Sequence, residues 1–468
     1  MTTRTAPPSS MNIRELMTRH RTFDVLAIAI LFFGFAGQGV RNMVGFYGSG
    51  VVMAVLFALF AWSFALSGAS VRRRPQPVAT LLFVLLCAAS LAWSVYPFHT
   101  LTAGVVTLGV TACGLALAAS RSVDEITDLL IRAFQAILIA SYVFELFVAL
   151  VWRKKFPPLT MLGQKKVPNL LNWSQNDLFD GGPIQGFMGN RNPLAFVALL
   201  LALCLLVRWA QTRTRTVSTL VWIGVAVLTL ALTRSGTVTV CLIVSLGAAA
   251  AFILVGSVPK RARPGVVMSL CGLALVLGVL AASARIYITA ALGKSPDMTG
   301  RAEIWKALLP MWREHPVLGW GWVIGYPSDV AVFAHFIPRE DGTPTTQAHN
   351  AYIEALFQTG VVGAVLIVLA VATVLIGTYA TAVHRIDEDR LLVLPALLAT
   401  ALVVQSTVES RLLFEGNWLL FVVLASFVAS ERPFLGYLRR HGPARFREPV
   451  RRANSGSTNE GERGMIVP

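Results

Sequence analysis

The sequence predicts an all-α fold: a polytopic membrane protein of about twelve transmembrane helices, with a large extracytoplasmic loop that contains short helices. Three observations predict it. Hydrophobic residues make up 55% of the 468 residues and charged residues only 14%, against roughly 25% charged in a soluble domain. The mean hydropathy is +0.65. Apolar runs of about 20 residues, the length that crosses a bilayer core, recur from Val25 to Ser430. A chain with so little charge cannot cover a soluble surface, and a helical bundle in lipid reads as one domain.

The expected spans are 25–40, 47–68, 77–95, 100–119, 131–152, 192–208, 217–233, 235–256, 265–283, 361–382, 391–409 and 412–430. The shorter ones rely on tilt or on neighbouring helices. The first run follows Arg4, Arg14, Arg19 and Arg21. No small-residue cleavage site comes after it and further spans do, so it reads as a retained first helix. The five cysteines, Cys87, Cys113, Cys204, Cys241 and Cys271, all fall inside apolar runs. They have neither metal-ligand nor disulfide spacing and read as small buried hydrophobes.

Charge orients the spans. The formal net charge is +16. Basic residues gather before span one (Arg14, Arg19, Arg21) and after span two (Arg72, Arg73, Arg74). They recur after span six (Arg208, Arg213, Arg215), span eight (Lys260, Arg261, Arg263) and span ten (Arg385, Arg390). The tail adds Arg439, Arg440, Arg445, Arg447, Arg451 and Arg452. All fall on one side of a twelve-span chain, which the positive-inside rule makes cytoplasmic, with both termini inside. This accounts for the positive excess without nucleic acid. Residues 1–24 are then a cytoplasmic segment, 25–430 the transmembrane domain, and 431–468 a basic tail whose composition is that of disorder.

Two long connections lie on the opposite side. The loop 153–191 carries Arg153, Lys154, Lys155, Lys165 and Lys166, against the charge rule, in which long loops count less. The loop 284–348 contains Pro310, Pro316, Pro327, Pro338 and Pro344. Connections of that length inside a compact protein are usually functional. Within it, Arg301–Glu314 reads as a short helix.

Four polar clusters mark this side. In Gly189-Asn190-Arg191-Asn192-Pro193, Pro193 suits the first helical position and Asn192 a cap; alternatively Asn190 and Arg191 face a ligand. In Thr233-Arg234-Ser235-Gly236 a tight turn explains Ser235 and Gly236. Arg234 is either an arginine snorkelling to the interface or one held to bind phosphate with its planar fork of donors. In the third cluster Arg301 opens a helix and Trp305 follows one turn later on the same face. Lying along the membrane surface, that helix would bury Trp305, Leu308, Leu309 and Trp312. Arg301 is then free for a ligand or pairs with Glu303 or Glu314. In the fourth, His349-Asn350 stands at the start of a helix. His349 is either structural or a base, since imidazole accepts a proton near neutral pH. Arginines that clamp a diphosphate and a histidine that deprotonates a hydroxyl would together make a transfer site.

The stretches GFMGNRNPLAF, LTRSGTV, TGRAEIWKALLPMWREHPVLGWGW and AHNAYIEALFQTGVVGAVL, in this order, resemble the O-antigen ligase and O-antigen polymerase family of bacterial envelope proteins. The resemblance covers about residues 180–430. It implies a glycosyltransferase of the cytoplasmic (inner) membrane, with no cofactor and no metal. The donor would be a glycan on a polyprenyl diphosphate, presented on the extracytoplasmic face. The acceptor would be a hydroxyl on a glycan, a glycolipid or another molecule, and displacement at the anomeric carbon would invert it. By the same resemblance Arg234 and Arg301 map to the diphosphate clamp and His349 to the general base. Arg191 joins the clamp at a position that varies among members, and Asn190, Asn192, Asn350 and Trp305 support the site. A polymerase of the same family differs only in its acceptor. A transporter or flippase of lipid-linked glycan would show matched halves and midplane polar groups, and neither is evident. A transferase with an acidic pair in the first external loop is disfavoured, because 41–46 has no Asp or Glu. A scaffold without catalysis would leave Arg234, Arg301 and His349 without a joint role.

Overall fold

The computed structural model describes residues 20–69, 71, 75–164, 166–212, 216–284, 287, 300–334 and 345–431. The segment before His20, Arg72 to Arg74, Lys165, Arg213, Arg215, Pro338, Pro344 and the basic tail lie outside these residues. The fold is all-α, with no β-strand among the described residues. Among the described residues twelve helices organise it, besides the single turn Ala331–Ala334: α1 His20–Leu66, α2 Val78–Ala89, α3 Pro97–Ser120, α4 Val123–Phe147, α5 Arg191–Thr212, α6 Val217–Thr233, α7 Gly236–Ser257, α8 Arg263–Ser283, α9 Arg301–Glu314, α10 Ala351–Arg385, α11 Val393–Ser406 and α12 Glu415–Glu431.

Every expected span has a helix at its place. Among the described residues seven helices are long and apolar enough to cross a membrane, while α2, α6, α11 and α12 are shorter. The structure redraws some boundaries. The first two spans are one helix, α1, interrupted at Gly45 with φ 76°, a conformation that favours glycine. The fifth starts earlier than expected, at Val123, because Ser122 and Glu125 form a capping box.

Burial grades from centre to edge. In α5 every residue from Pro193 to Leu205 is buried, as expected of a helix that is apolar all round. Most of α11 and α12 is buried as well. In α8 the apolar window is only 6% buried. That position overturns one expectation: Cys87, Cys113, Cys204 and Cys241 are buried, but Cys271, on α8, is exposed. The three central helices deliver their polar ends to one end of the bundle: Asn190 to Asn192 before and within α5, Glu409 after α11, and Glu415 at the start of α12. The opposite end carries a separate set of ion pairs. Arg121 pairs with Asp24, Arg208 with Asp124 and Asp128, Arg263 with Asp387, and Arg385 with Glu431.

The break in α10 positions the site's floor. Gly360 adopts φ 65° inside the helix. The segment after α9 runs into this opening. Val361 N–H donates to Pro316 O at 2.9 Å and Gly321 N–H to Gln358 O at 2.9 Å. Backbone groups freed from a helix inside a membrane protein need such partners. A Cβ at Gly360 would lie 2.1 Å from Val317 O. Gly360→Ala is therefore expected to destabilise by on the order of 3 kcal/mol, combining the positive φ with a backbone clash. Thermal unfolding in detergent checks this, and a wild-type midpoint would refute it.

Candidate active site

Glu409 is the hub of the polar end of the bundle. It lies in the turn between α11 and α12 and is only 3% exposed. Its Oε1 accepts from Arg301 Nη2 at 3.0 Å and from Asn192 Nδ2 at 3.2 Å. Its Oε2 lies 3.0 Å from His349 Nδ1. Burial alone would raise the Glu409 carboxyl. The hydrogen bond and charge of His349, with the guanidiniums of Arg301 and Arg411, outweigh that and hold it below its usual range.

This hub joins the sequence clusters. Asn190, not Asn192, caps α5: its Oδ1 accepts from Asn192 N–H at 3.0 Å, which puts Pro193 at the third helical position. The side chain of Asn192 is thereby free to bridge. It donates to Glu409, and its Oδ1 accepts from Ser235 Oγ at 2.8 Å. Ser235 in turn caps α7. One asparagine so links the first cluster, the second cluster and the acid.

Arg301 is 7% exposed and opens α9 after Gly300, whose φ is 80°. It pairs with Glu409 rather than with Glu303 or Glu314. The α9 helix also departs from the surface-helix expectation. Its buried face is Arg301, Ile304 and Leu308, packed on Tyr96, Val323, Tyr326 and Phe357. Leu309 is exposed, and Trp305 and Trp312 are half-buried. Trp305 Nε1 donates to Ala348 O at 2.9 Å, so it holds the residue before His349.

His349 sits at φ 52°, a left-handed conformation that histidine tolerates better than most residues. Both neighbours are pinned. Ala348 N–H donates to Glu354 Oε2 at 2.7 Å. Asn350 caps α10 through Tyr352 N–H and Ile353 N–H, and its Nδ2 donates to Thr407 O. Glu354 also accepts from Ser410 Oγ, which ties the start of α10 to the turn that carries Glu409. With Nδ1–H directed at the Glu409 carboxylate, Nε2 is the nitrogen left to take a proton. No described residue hydrogen-bonds it.

Arg234 and Arg191 are exposed and form no ion pair among the described residues. Arg234 ends α6 at φ 47°, directly before Ser235. Its Nη2 lies against Gly181 of the 153–191 loop, 3.3 Å from where a Cβ would be. That loop is anchored by the buried Glu145, which accepts from Ser174 Oγ, Gln185 N–H and Gly186 N–H. Arg191 is the first residue of α5 and Arg301 the first of α9. The positive ends of these helix dipoles reinforce the cations, so this end of the bundle favours an anion.

Reading the sequence missed Glu409, and with it Arg411 and the pair of Arg41 with Glu415, 2.6 Å apart. A signal was present. Glu409 and Arg411 are charged residues between two apolar runs with almost no connecting loop, the same feature that singled out Arg234.

Residues 219–368 match the family model described as O-antigen ligase. The matched segment is about a third of the chain, and it is similar to that family. The matched segment takes in Arg234, Arg301, Trp305, His349 and Asn350, and leaves Asn192 and Glu409 outside. The chain is also similar to the exopolysaccharide production protein ExoQ of Rhizobium meliloti (strain 1021), 30% identical over 128 residues. That match covers 25% of this chain and 28% of ExoQ. The chain as a whole is a polytopic all-α membrane protein.

Proposed function

We propose that this protein transfers a glycan from a polyprenyl-diphosphate carrier to an acceptor hydroxyl on the extracytoplasmic face of the inner membrane, with inversion and without a metal. The observation that carries this reading is the chain Arg301–Glu409–His349, in which the buried arginine and acid hold a half-buried histidine, with contacts of 3.0 Å on both sides of the acid. The acceptor oxygen attacks the anomeric carbon while its proton passes to His349 Nε2. The bond from that carbon to the diphosphate oxygen breaks, and the carrier leaves with the electron pair. Arg234, Arg191 and the helix N-termini offset the charge that develops on the leaving diphosphate. Arg301 is committed to Glu409 through Nη2, so it acts at the inner edge of that clamp. The basic residues at the opposite end of the bundle support a cytoplasmic assignment for that end and for both termini.

The test is transfer by purified protein in nanodiscs with EDTA, supplied with a polyprenyl-diphosphate glycan and candidate acceptors. Transfer by wild type and none by His349→Ala is the expected result. Wild-type protein that moves lipid-linked glycan across the membrane without transferring it would overturn the reading. Arg234→Ala is expected to lower kcat/KM by about 10²-fold, the scale of one lost transition-state donor. Lysine at 234 should recover little of this, because it lacks the planar fork; full recovery would remove the bidentate clamp. A second reading, polymerase rather than ligase, is favoured by the likeness to a protein named for exopolysaccharide production. Use of the growing glycan itself as acceptor would establish it.

A further inference from the structure

The loop that follows α4 has a surface the transfer reaction does not use. It combines exposed cations with exposed leucines. Arg153, Lys154, Lys155 and Lys166 are exposed, and no acidic residue occurs from 153 to 176. Leu159, Leu162, Leu170 and Leu171 are also exposed, Leu170 by 55%. The loop is nevertheless well anchored. Phe156 and Trp173 are buried beside Val148, Phe156 N–H donates to Ser174 O at 2.9 Å, and Ser174 is held by Glu145. The leucines therefore project from a fixed frame, on or directly after the short turns Leu159–Met161 and Asn169–Leu171.

Their depth is set by what they adjoin. The loop starts where α4 ends, through the turn Val148–Trp152. Its Thr160 packs on the break in α1, 3.4 Å from where a Cβ of Gly45 would be. Beside that break Phe46 and Tyr47 are 68% and 85% exposed, aromatic residues at the level where a bilayer gives way to water. Lys155 Nζ donates to Asn169 Oδ1 and Lys154 lies over the Trp152 ring, but among the described residues none of the three lysines forms an ion pair, so apolar side chains and uncompensated cations at that level match acyl chains below and phosphates above. A basic loop on this side also runs against the charge rule, which an anionic lipid partner explains.

We propose that the 153–171 loop is a docking surface for the anionic phospholipid headgroups of the leaflet on the site's side. Leu159, Leu162, Leu170 and Leu171 enter the leaflet, and Lys154, Lys155 and Lys166 bind lipid phosphates. The proposal needs no step of the transfer reaction.

Native mass spectrometry from mixed phosphatidylcholine and phosphatidylglycerol micelles tests the charge. Wild type should retain phosphatidylglycerol selectively. The variant Lys154→Gln/Lys155→Gln/Lys166→Gln should lose about fivefold in that retention per lysine, the fold-change that ~1 kcal/mol per surface cation represents. Depth is tested separately by a bimane on Leu170→Cys in a Cys271→Ser background. Quenching by a doxyl lipid is expected, and quenching by aqueous iodide alone would overturn the proposal. Unchanged phosphatidylglycerol retention in the triple variant would overturn it as well. Loss of binding to a uronate polysaccharide, with lipid retention intact, would instead assign the patch to acidic glycan.

Discussion

Glu409→Gln is expected to lower turnover by roughly two to four orders of magnitude, the range seen when the carboxylate behind a catalytic histidine is removed. The KM values should change little. The physical reason lies in the two oxygens of Glu409. One faces His349 Nδ1 at 3.0 Å and stabilises the imidazolium that forms when Nε2 takes a proton. The other holds Arg301 and Asn192. An amide keeps the shape and removes the charge. A purely structural residue would shift stability or KM and leave kcat alone. Glu409→Asp, which keeps the charge, should recover part of the rate. Glu409→Gln also leaves the Arg301 guanidinium buried beside a neutral partner. Breaking such a pair costs on the order of 3–5 kcal/mol, so the unfolding temperature should drop too.

The pH dependence of that difference has a definite sign. The Glu409 carboxyl titrates below its usual range in the folded protein. Its contribution to stability is complete above the ordinary glutamate value of about 4.3 and is lost as pH falls through the lower folded value. The melting difference between wild type and Glu409→Gln should therefore hold steady from neutral pH to that range and shrink below it. A difference that shrinks near neutral pH would place the charge on another group.

His349→Ala is expected to abolish measurable transfer while the protein still inserts and folds. Loss of a general base removes about 10²–10⁴ in rate. The backbone around His349 does not depend on the imidazole. Ala348 is held by Glu354 and Trp305, and Asn350 by its own cap and Thr407. His349→Asn is the stricter variant, because asparagine also tolerates the left-handed backbone at φ 52° and cannot act as the base. Full transfer by either variant would sink the general-base role. Donor binding should survive in both, since the clamp cations are untouched.

Sequence alone determined that this chain is a helical membrane protein and where its helices run, because hydropathy is a local property. The run before Arg191 and the turn at Arg234 stood out for the same reason: a charge between apolar runs is visible in a few residues. Tertiary structure decided what those charges do. Glu409 meets His349 across 60 residues, Arg301 across 108 and Asn192 across 217, and no local pattern encodes such a meeting. Arg301 read equally well as free for a ligand or paired within its helix, until the turn after α11 placed an acid beside it. Asn192 read as a cap, until Asn190 took that role and left its side chain to bridge two clusters. Helix ends are specified by neighbours in sequence, but a buried charge is satisfied by whatever the packed bundle brings within 3 Å.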